Sequence, residues 1–466
     1  MENDGTLTIG RLAPLIRKKE VSPVEITRFC LDRISKLQPT INAFITVTAD
    51  LALKQAARAE NEILRGAYRG PLHGIPLSLK DLFNTAGIRT TSGSRIRRRF
   101  VPKRNAAVVD RLLAGGCILV GKTNMHEFAY GPTNMNPHYG PVRNPWDTRC
   151  MSGGSSGGSA ASVITGQSVA SFGTDTGGSI RIPAAACGCV GLKPTYASIS
   201  MEGAFPLSYS LDHAGPLCRC VQDAAILFEA ARKPFPAGDA RSLLPALRKG
   251  VRGLAVGIPR QYFFDCIDPG VGRAVTAAAG VLAQAGALVR EVDLEGMGST
   301  GRIASGITAT EALAVHGKWL DRNPDAYGED VRLRLLESEG LTAAALIETQ
   351  QEARTYGEMF EKVLETVDLL LAPTLPIAAP RLDQEEVRIG RRRRSVRDLL
   401  LGLTRPANIS GLPALSIPCG FSGEGLPIGL QMIGRRHGEA RLLCAAYAYE
   451  RATPWHRQFP GIPGVD

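Results

Sequence analysis

Two glycine-rich turns that carry serines are the segments of this sequence best suited to chemistry. They have the sequences GGSSG at 153–157 and TGGS at 176–179. Glycines let successive backbone amides point the same way, so Thr176, Gly177 and Gly178 could hold the oxyanion that develops in acyl transfer. Ser179 could then be the nucleophile. Because neither turn contains a histidine or a cysteine, the base that activates this serine must come from elsewhere in the chain.

A nucleotide-binding motif matches the sequence by its letters alone. Residues 116–123, GCILVGKT, fit the phosphate-loop pattern G-x-x-x-x-G-K-S/T. A phosphate loop needs a flexible turn between a strand and a helix, whereas CILV is typical of a strand and a helical pattern precedes it. We therefore predict a buried strand at this position and no bound nucleotide.

The first serine turn also fits the nucleophile elbow G-x-S-x-G of the α/β-hydrolases, which would make Ser155 the nucleophile. That elbow must follow a strand, but the preceding residues, RNPWD at 143–147, are typical of a turn. The histidines that follow Ser155 in the chain could complete a triad, so a serine esterase is one alternative. They are His213, His316, His437 and His456.

The composition excludes a disordered or fibrous protein and predicts no membrane segment. Hydrophobic residues make up 44% and charged residues 21% of the 466 residues. No run approaches the roughly 18 consecutive apolar residues of a membrane-spanning helix. The first 20 residues mix acids and bases where a secretion signal needs an apolar stretch. We therefore expect a cytoplasmic protein.

The net charge of +11 raises the question of a nucleic-acid partner. Eight of the arginines lie in two short tracts, at 95–99 and 391–394, without the regularly interleaved aromatics of a single-strand binding surface. We expect solvated loops at both tracts and no nucleic-acid partner. A basic protein that keeps the fold as a non-catalytic binding scaffold is a further alternative.

Strands that alternate with helices predict an α/β fold, in a single domain over residues 1–466. Within it we expect an N-terminal helical segment at 1–66, a core at 71–195, and a variable helical and surface region at 300–400. The core is expected to hold a strand within 75–83 and a helix capped by Asn105. Further buried strands are expected at 254–258, 288–292 and 367–371.

The two serine turns, together with GIPLSLKD at 74–81, GLP at 411–413 and GLQ at 429–431, resemble the amidase signature family. The resemblance spans almost the whole chain. It implies a large mixed β-sheet of about eleven strands, covered on both faces by helices, and no metal or organic cofactor. It also implies a Ser-Ser-Lys triad in which Ser179 is the nucleophile, Ser155 the bridging serine and Lys80 the general base.

The resemblance further implies a cis peptide between Gly154 and Ser155, and hydrogen bonds from Ser156, Asp175 and Arg181 that brace the turns. A lysine can act as a base near neutral pH only if burial lowers its pKa from ~10.4 toward about 7 to 8. Lys80 follows the apolar run IPLSL, so we expect it to be buried.

The expected activity is hydrolysis of a carboxylic amide through an acyl-enzyme. The family also contains the glutaminase A subunit of glutamyl-tRNA(Gln) and aspartyl-tRNA(Asn) amidotransferases, which is the second alternative. Three positions before Thr404, where those subunits carry an aspartate for the glutamine ammonium, this chain has Leu401. An apolar residue cannot offset a buried ammonium, so we expect a stand-alone amidase.

The substrate and the partners are expected to be few. We predict a small-molecule amide as substrate, at most a second copy of the chain as partner, and neither nucleic acid nor membrane. Tyr130 and Met135, within HEFAYGPTNMN at 126–136, are the residues that we expect to face the substrate.

Overall fold

The computed structural model describes residues 7–233 and 242–462 and has the α/β fold that the sequence predicts. Helices lie on both faces of one large mixed β-sheet. The helices are α1 Ile9–Arg17, α2 Pro23–Ile41, α3 Ala49–Leu64, α4 Ala107–Ala114, α5 Gly157–Ile164, α6 Arg181–Cys187, α7 Val221–Ala231, α8 Leu244–Leu247, α9 Pro269–Gln284, α10 Thr300–Arg322, α11 Glu329–Leu336, α12 Ala343–Thr366, α13 Val396–Gly402, α14 Arg405–Ile409 and α15 Glu439–Ala452.

Eleven of the strands in the described residues form the large sheet, in agreement with the expected number. The strands are β1 Phe44–Val47, β2 Pro76–Lys80, β3 Ile118–Thr123, β4 Ala170–Asp175, β5 Val190–Lys193, β6 His213–Cys218, β7 Ala255–Pro259, β8 Leu288–Val292, β9 Leu369–Pro373, β10 Glu386–Ile389, β11 Arg392–Ser395, β12 Ala414–Phe421 and β13 Pro427–Gly434. Their order in the sheet is β1-β3-β2-β4-β6-β5-β12-β13-β9-β7-β8. The sheet joins strands from both halves of the chain; the single domain over 1–466 stays a prediction.

The centre of the sheet positions the two serine turns. Strand β2 is parallel to β4, and β4 is antiparallel to β6. One turn precedes α5, which packs on β4, and the other connects the end of β4 to α6. All three strands are completely buried, so the side chains at their ends lie in a place from which water is largely excluded.

The segment that matches the phosphate loop is a buried strand, as predicted. Residues 118–123 are β3, and the Lys122 Nζ donates to the Phe83 carbonyl and to Thr90 at 2.8 Å each. It also lies 3.3 Å from the Asp81 carboxylate. Because Lys122 is fully buried on these protein partners, it is not available to a phosphate.

Two local expectations are wrong for identifiable physical reasons. Strand β8 is at the edge of the sheet, where Leu288 is 65% exposed, so it is not a buried strand. Asn105 does not cap α4, which begins at Ala107 without a side-chain cap. The Asn105 amide instead accepts from the Ala86 amide and donates to Asp110.

The arginine tract at 391–394 lies on a separate surface hairpin of β10 and β11, where the four arginines are exposed, as expected. Within residues 7–233 and 242–462, no helix combines the length and the apolar character that crossing a membrane requires.

Close packing at the central strands gives a test of the fold. A methyl group on Gly215, in β6, would lie 2.1 Å from the Leu192 carbonyl oxygen. Gly215→Ala is therefore expected to destabilise the protein by about 1 to 3 kcal/mol, since backbone must shift to make room. Gly280→Ala, in the exposed part of α9 with no atom within 4 Å, is the control and should raise stability by about 0.5 to 1 kcal/mol. Melting temperatures that fall for both variants, or for neither, would contradict this account.

Candidate active site

Lys80 is a buried amine with hydroxyl partners. It ends β2, and its Nζ lies 2.7 Å from the Ser155 Oγ and 2.8 Å from the Thr174 Oγ1. No part of its side chain is exposed. Burial lowers the pKa of Lys80 from 10.5 to about 7, against the opposing charges of Asp212 and Asp175. A large fraction of this amine is therefore uncharged at neutral pH, which a general base requires.

The first serine turn is held against the end of β4. The peptide bond between Gly154 and Ser155 is cis, as the resemblance implies. The Ser156 Oγ donates to the Thr174 carbonyl at 3.2 Å, and the Ser156 amide donates to the Ser179 carbonyl at 3.3 Å. These two bonds bring the backbones of the two serine turns next to each other, so Ser156 occupies the bracing position expected of it.

Ser179 lies at the start of the second turn's exit into α6 and borders a cavity. Its residue is 4% exposed. Within the described residues its hydroxyl has no hydrogen bond to the Ser155 Oγ. The structure thus links Lys80 to Ser155 directly, and brings Ser179 to Ser155 through the turn backbones.

Asp175 and Arg181 form a completely buried ion pair that organises the second turn. The guanidinium Nη2 of Arg181 is 2.9 Å from the Asp175 carboxylate, and its Nη1 donates to the Thr404 carbonyl at 2.8 Å. Gln431 and Asn408 accept from the same guanidinium. Burial alone would raise the pKa of Asp175, but Arg181 holds that pKa well below its usual range. The carboxylate therefore stays charged at neutral pH.

The structure changes the expected set of oxyanion donors at one position. The Gly178 amide donates to the Asp175 carboxylate at 2.8 Å, so it is not available to an oxyanion and the expectation for Gly178 is wrong. The amides of Thr176 and Gly177 have no acceptor within the described residues. The Gly177 carbonyl accepts from the Thr404 hydroxyl at 2.6 Å, which fixes the orientation of this peptide.

Sequence reasoning missed Thr174 and Asp212. Asp212 accepts from the Thr176 hydroxyl at 2.6 Å and from the Leu207 and Ser208 amides. Burial raises the pKa of Asp212 to about 6, against these hydrogen bonds and the charge of Lys80. No local motif marks either residue; only the pairing of β4 with β2 and β6 brings them to the site.

The cavity beside Ser179 encloses about 390 Å3, including its mouth. Tyr130 lines it, as expected, but Met135 does not, because the chain turns away from the cavity after Gly131. The other lining residues are Ala129, Gly131, Thr176, Gly177, Leu207, Ala304, Thr308, Arg397, Leu401 and Arg405. The region 300–400 therefore contributes to the cavity through α10 and α13.

The arrangement does not support the esterase alternative. Lys80 is the side chain bonded to the Ser155 hydroxyl, and none of the described histidines hydrogen-bonds to it. His213 bonds to backbone carbonyls and His316 to Tyr327. A histidine that acted as the base would have to contact this hydroxyl.

The buried ion pair predicts a stability difference between two arginine variants. Arg181→Met leaves the buried Asp175 carboxylate without its cation and should cost about 3 to 5 kcal/mol. Arg302→Met, which breaks an exposed pair with Glu352, is the matched control and should cost less than about 1 kcal/mol. Urea unfolding of both variants measures this; equal losses would show that the Arg181 network is not a special source of stability.

Comparison with known proteins supports the family assignment. The profile of the family described as Amidase matches residues 25–443. The A subunit of a glutamyl-tRNA(Gln) amidotransferase from Geotalea daltonii is 40% identical over 485 aligned positions, which cover 97% of this chain and 98% of the relative.

Solved structures of similar fold agree. An inhibitor-bound s-triazine catabolic enzyme, described as a vestigial protein complex, has a TM-score of 0.90 and 32% identity over 95% of this chain and 98% of that one. A crystal structure of an amidase has a TM-score of 0.88 and 36% identity over 96% of this chain and 99% of the other.

These relatives correct the expectation about partners. We expected a small-molecule substrate, at most a homodimer, and no nucleic acid. The Geotalea daltonii relative is named as one subunit of an enzyme of glutamyl-tRNA(Gln), and the s-triazine enzyme is described as part of a protein complex. The expectation is wrong because no motif inside the chain reports which surfaces its relatives use for assembly.

The same relatives bear on the kind of amidase. Amide hydrolysis, the main expectation, is confirmed, but the relatives' names favour the glutaminase role over the stand-alone amidase that Leu401 led us to expect. The family match covers most of the sequence, and the structural match covers nearly all of the fold. The chain belongs to the amidase signature family and is a hydrolase that acts on amide C–N bonds.

Proposed function

We propose that this chain cleaves its amide with a triad of Lys80, Ser155 and Ser179. The observation that carries the proposal is the fully buried Lys80 amine, 2.7 Å from the Ser155 hydroxyl and with a pKa near 7. An amine with this pKa in contact with a serine hydroxyl is suited to general-base catalysis. The cytoplasm remains our prediction for the place where the reaction occurs.

The reaction starts with the uncharged Lys80. Its lone pair accepts the Ser155 proton while the Ser155 oxygen accepts the proton of Ser179, and the Ser179 Oγ attacks the amide carbonyl. The negative charge moves to the carbonyl oxygen, where the amides of Thr176 and Gly177 donate to it. Since both turns are braced before substrate binds, little reorganisation is needed at this step.

The second half of the reaction returns the proton. The Lys80 ammonium donates through Ser155 to the leaving nitrogen, the C–N bond breaks, and the acyl group stays on Ser179 as an ester. Water then attacks this ester, with the same relay accepting its proton, and releases the carboxylic acid. Asp175 and Arg181 act in this scheme as positioning residues, because they fix the turn and do not reach the carbonyl.

A second candidate is the glutaminase role, in which the chain releases ammonia from glutamine for an amidotransferase. The 40% identity to a relative of that name favours it. Ammonia release from L-glutamine, measured with the chain alone and with the other amidotransferase subunits added, tests this role. Turnover that requires the added subunits supports it, and equal hydrolysis of unrelated amides without them supports a stand-alone amidase.

Covalent labelling tests the nucleophile without knowledge of the substrate. A fluorophosphonate probe is expected to label the peptide that contains Ser179, and Ser179→Ala should abolish the label. Lys80→Met should slow labelling about 100- to 10,000-fold, since it removes the general base. As controls, each of the four esterase-candidate histidines is changed to Asn. Loss of labelling in one of those variants, with Lys80→Met unaffected, would refute the triad.

The pH dependence tests the base itself. Because the uncharged amine is the active form, kcat/KM should rise about tenfold per pH unit below the Lys80 pKa and level off above it. We expect this limb near pH 7. The charge of Asp175 stays constant there, whereas Asp212, with a pKa of about 6, titrates on the same limb.

Asp212→Asn separates the two groups. The Asp212 charge opposes the lowering of the Lys80 pKa, so its removal should lower that pKa and move the limb to lower pH. A limb near pH 10 in the unmodified protein, or a shift to higher pH in Asp212→Asn, would contradict the role of Lys80.

A further inference from the structure

Two arginines of the substrate cavity have no counter-charge. Arg405 is only 8% exposed, and within the described residues it makes no hydrogen bond or ion pair. The Nε of Arg397 is also buried without a partner. Both residues line the cavity beside Ser179. A buried guanidinium is nearly always paired in proteins, so these two groups are suited to a ligand that supplies the missing acceptor.

The two arginines lie close to the reaction centre. A methyl group placed on Gly177 would be 3.5 Å from the Cγ and 3.9 Å from the Nε of Arg405. The same methyl group would be 3.2 Å from the side chain of Leu401. Arg405 thus borders the turn that carries the nucleophile, and a short chain on the substrate spans the distance between them.

The surrounding charges favour an anion. The cavity lining contains no Asp or Glu. Arg334, the next arginine, is already bonded to Asp330 and to the Tyr130 carbonyl. Burial, and then the charge of Arg397, lower the pKa of Arg405 to about 10, while the exposed Asp398 opposes this change without forming an ion pair. Two desolvated cations that repel each other are both stabilised when one carboxylate binds between them.

We propose that Arg397 and Arg405 bind a carboxylate on the acyl group of the substrate, and that this acyl group carries no ammonium. The substrate class is then the monoamides of small dicarboxylic acids, held with the amide at Ser179 and the carboxylate at the arginines. An ammonium on the same chain would face Leu401 and two guanidinium groups, with no carboxylate among the described lining residues. The inference rests on the proposed function and narrows its substrate.

Matched sets of amides test the substrate class. One set is succinamate, L-asparagine and butyramide, and the other is glutaramate, L-glutamine and pentanamide. Within each set the second compound adds an α-ammonium, and the third replaces the carboxylate by a methyl group. In at least one set, kcat/KM for the monoamide acid is expected to exceed both others by about 10- to 100-fold, as a charged hydrogen-bonded contact contributes. A preference for the amino acid or for the neutral amide in both sets overturns the proposal.

Variants test the two residues. In Arg405→Met and in Arg397→Met, the ratio of kcat/KM for the acid to that for its methyl analogue should fall at least about tenfold, mainly through a higher KM. This ratio does not depend on how much of a variant folds. Arg394→Met, on the exposed hairpin, is the matched control and should leave the ratio unchanged. An unchanged ratio in both cavity variants overturns the assignment.

A binding measurement separates this inference from the proposed function. Calorimetric titration of Ser179→Ala with succinamate, glutaramate and their methyl analogues needs no turnover. Tighter binding of the acids supports the arginine site even where hydrolysis is absent, in which case the triad is what fails. Hydrolysis that depends on Ser179, with equal binding of acids and neutral amides, leaves the triad in place and overturns the arginine site.

Discussion

An amine without an ion pair is the feature on which the rest of this site depends. Lys80 is completely buried, and its described partners are two hydroxyl groups. Asp175 and Asp212 are near enough to raise its pKa, but other donors hold both: Arg181 and Asn408 bond to Asp175, and Thr176 with two amides bonds to Asp212. If either carboxylate contacted the amine, the ammonium would be favoured and the base lost. The buried network therefore protects the reactivity of Lys80 as well as the conformation of the turns.

The end of β4 is where these requirements are met together. Thr174 contributes its hydroxyl to Lys80 and its carbonyl to Ser156, and the next residue, Asp175, receives the Gly178 amide and the Arg181 guanidinium. Two adjacent residues of one strand thus contact the base, the first serine turn and the second. Because β4 is buried between β2 and β6, its end has little freedom to move, and the relative positions of the two turns follow from the sheet.

How far the sequence predicts this site depends on whether a contact is local. The serine turns, Lys80, Asp175 and Arg181 are recognisable because each lies in a short distinctive motif. Thr174 and Asp212 are not, since their roles arise only when β4 pairs with its neighbours. The Gly178 amide is lost to Asp175 for a similar reason: composition shows that a turn has free amides, but not which of them a nearby carboxylate takes. The strand at 288–292 is predicted correctly, yet its exposure depends on its edge position.

The reactive groups and the cavity lining come from different parts of the chain. Lys80, Ser155 and Ser179 lie on strands and turns of the central sheet, whereas Leu401, Arg397 and Arg405 belong to α13 and α14, which pack against it from the second half of the chain. Hydrogen bonds from Thr404 and to Asn408 tie those helices to the nucleophile turn. Residues between such anchors can change charge without disturbing the relay, because they contact the cavity and not the braces. This separation explains how a chain can keep the amide chemistry of its relatives while the charge of its acyl pocket, set at Leu401 and Arg405, differs from one that accommodates an ammonium.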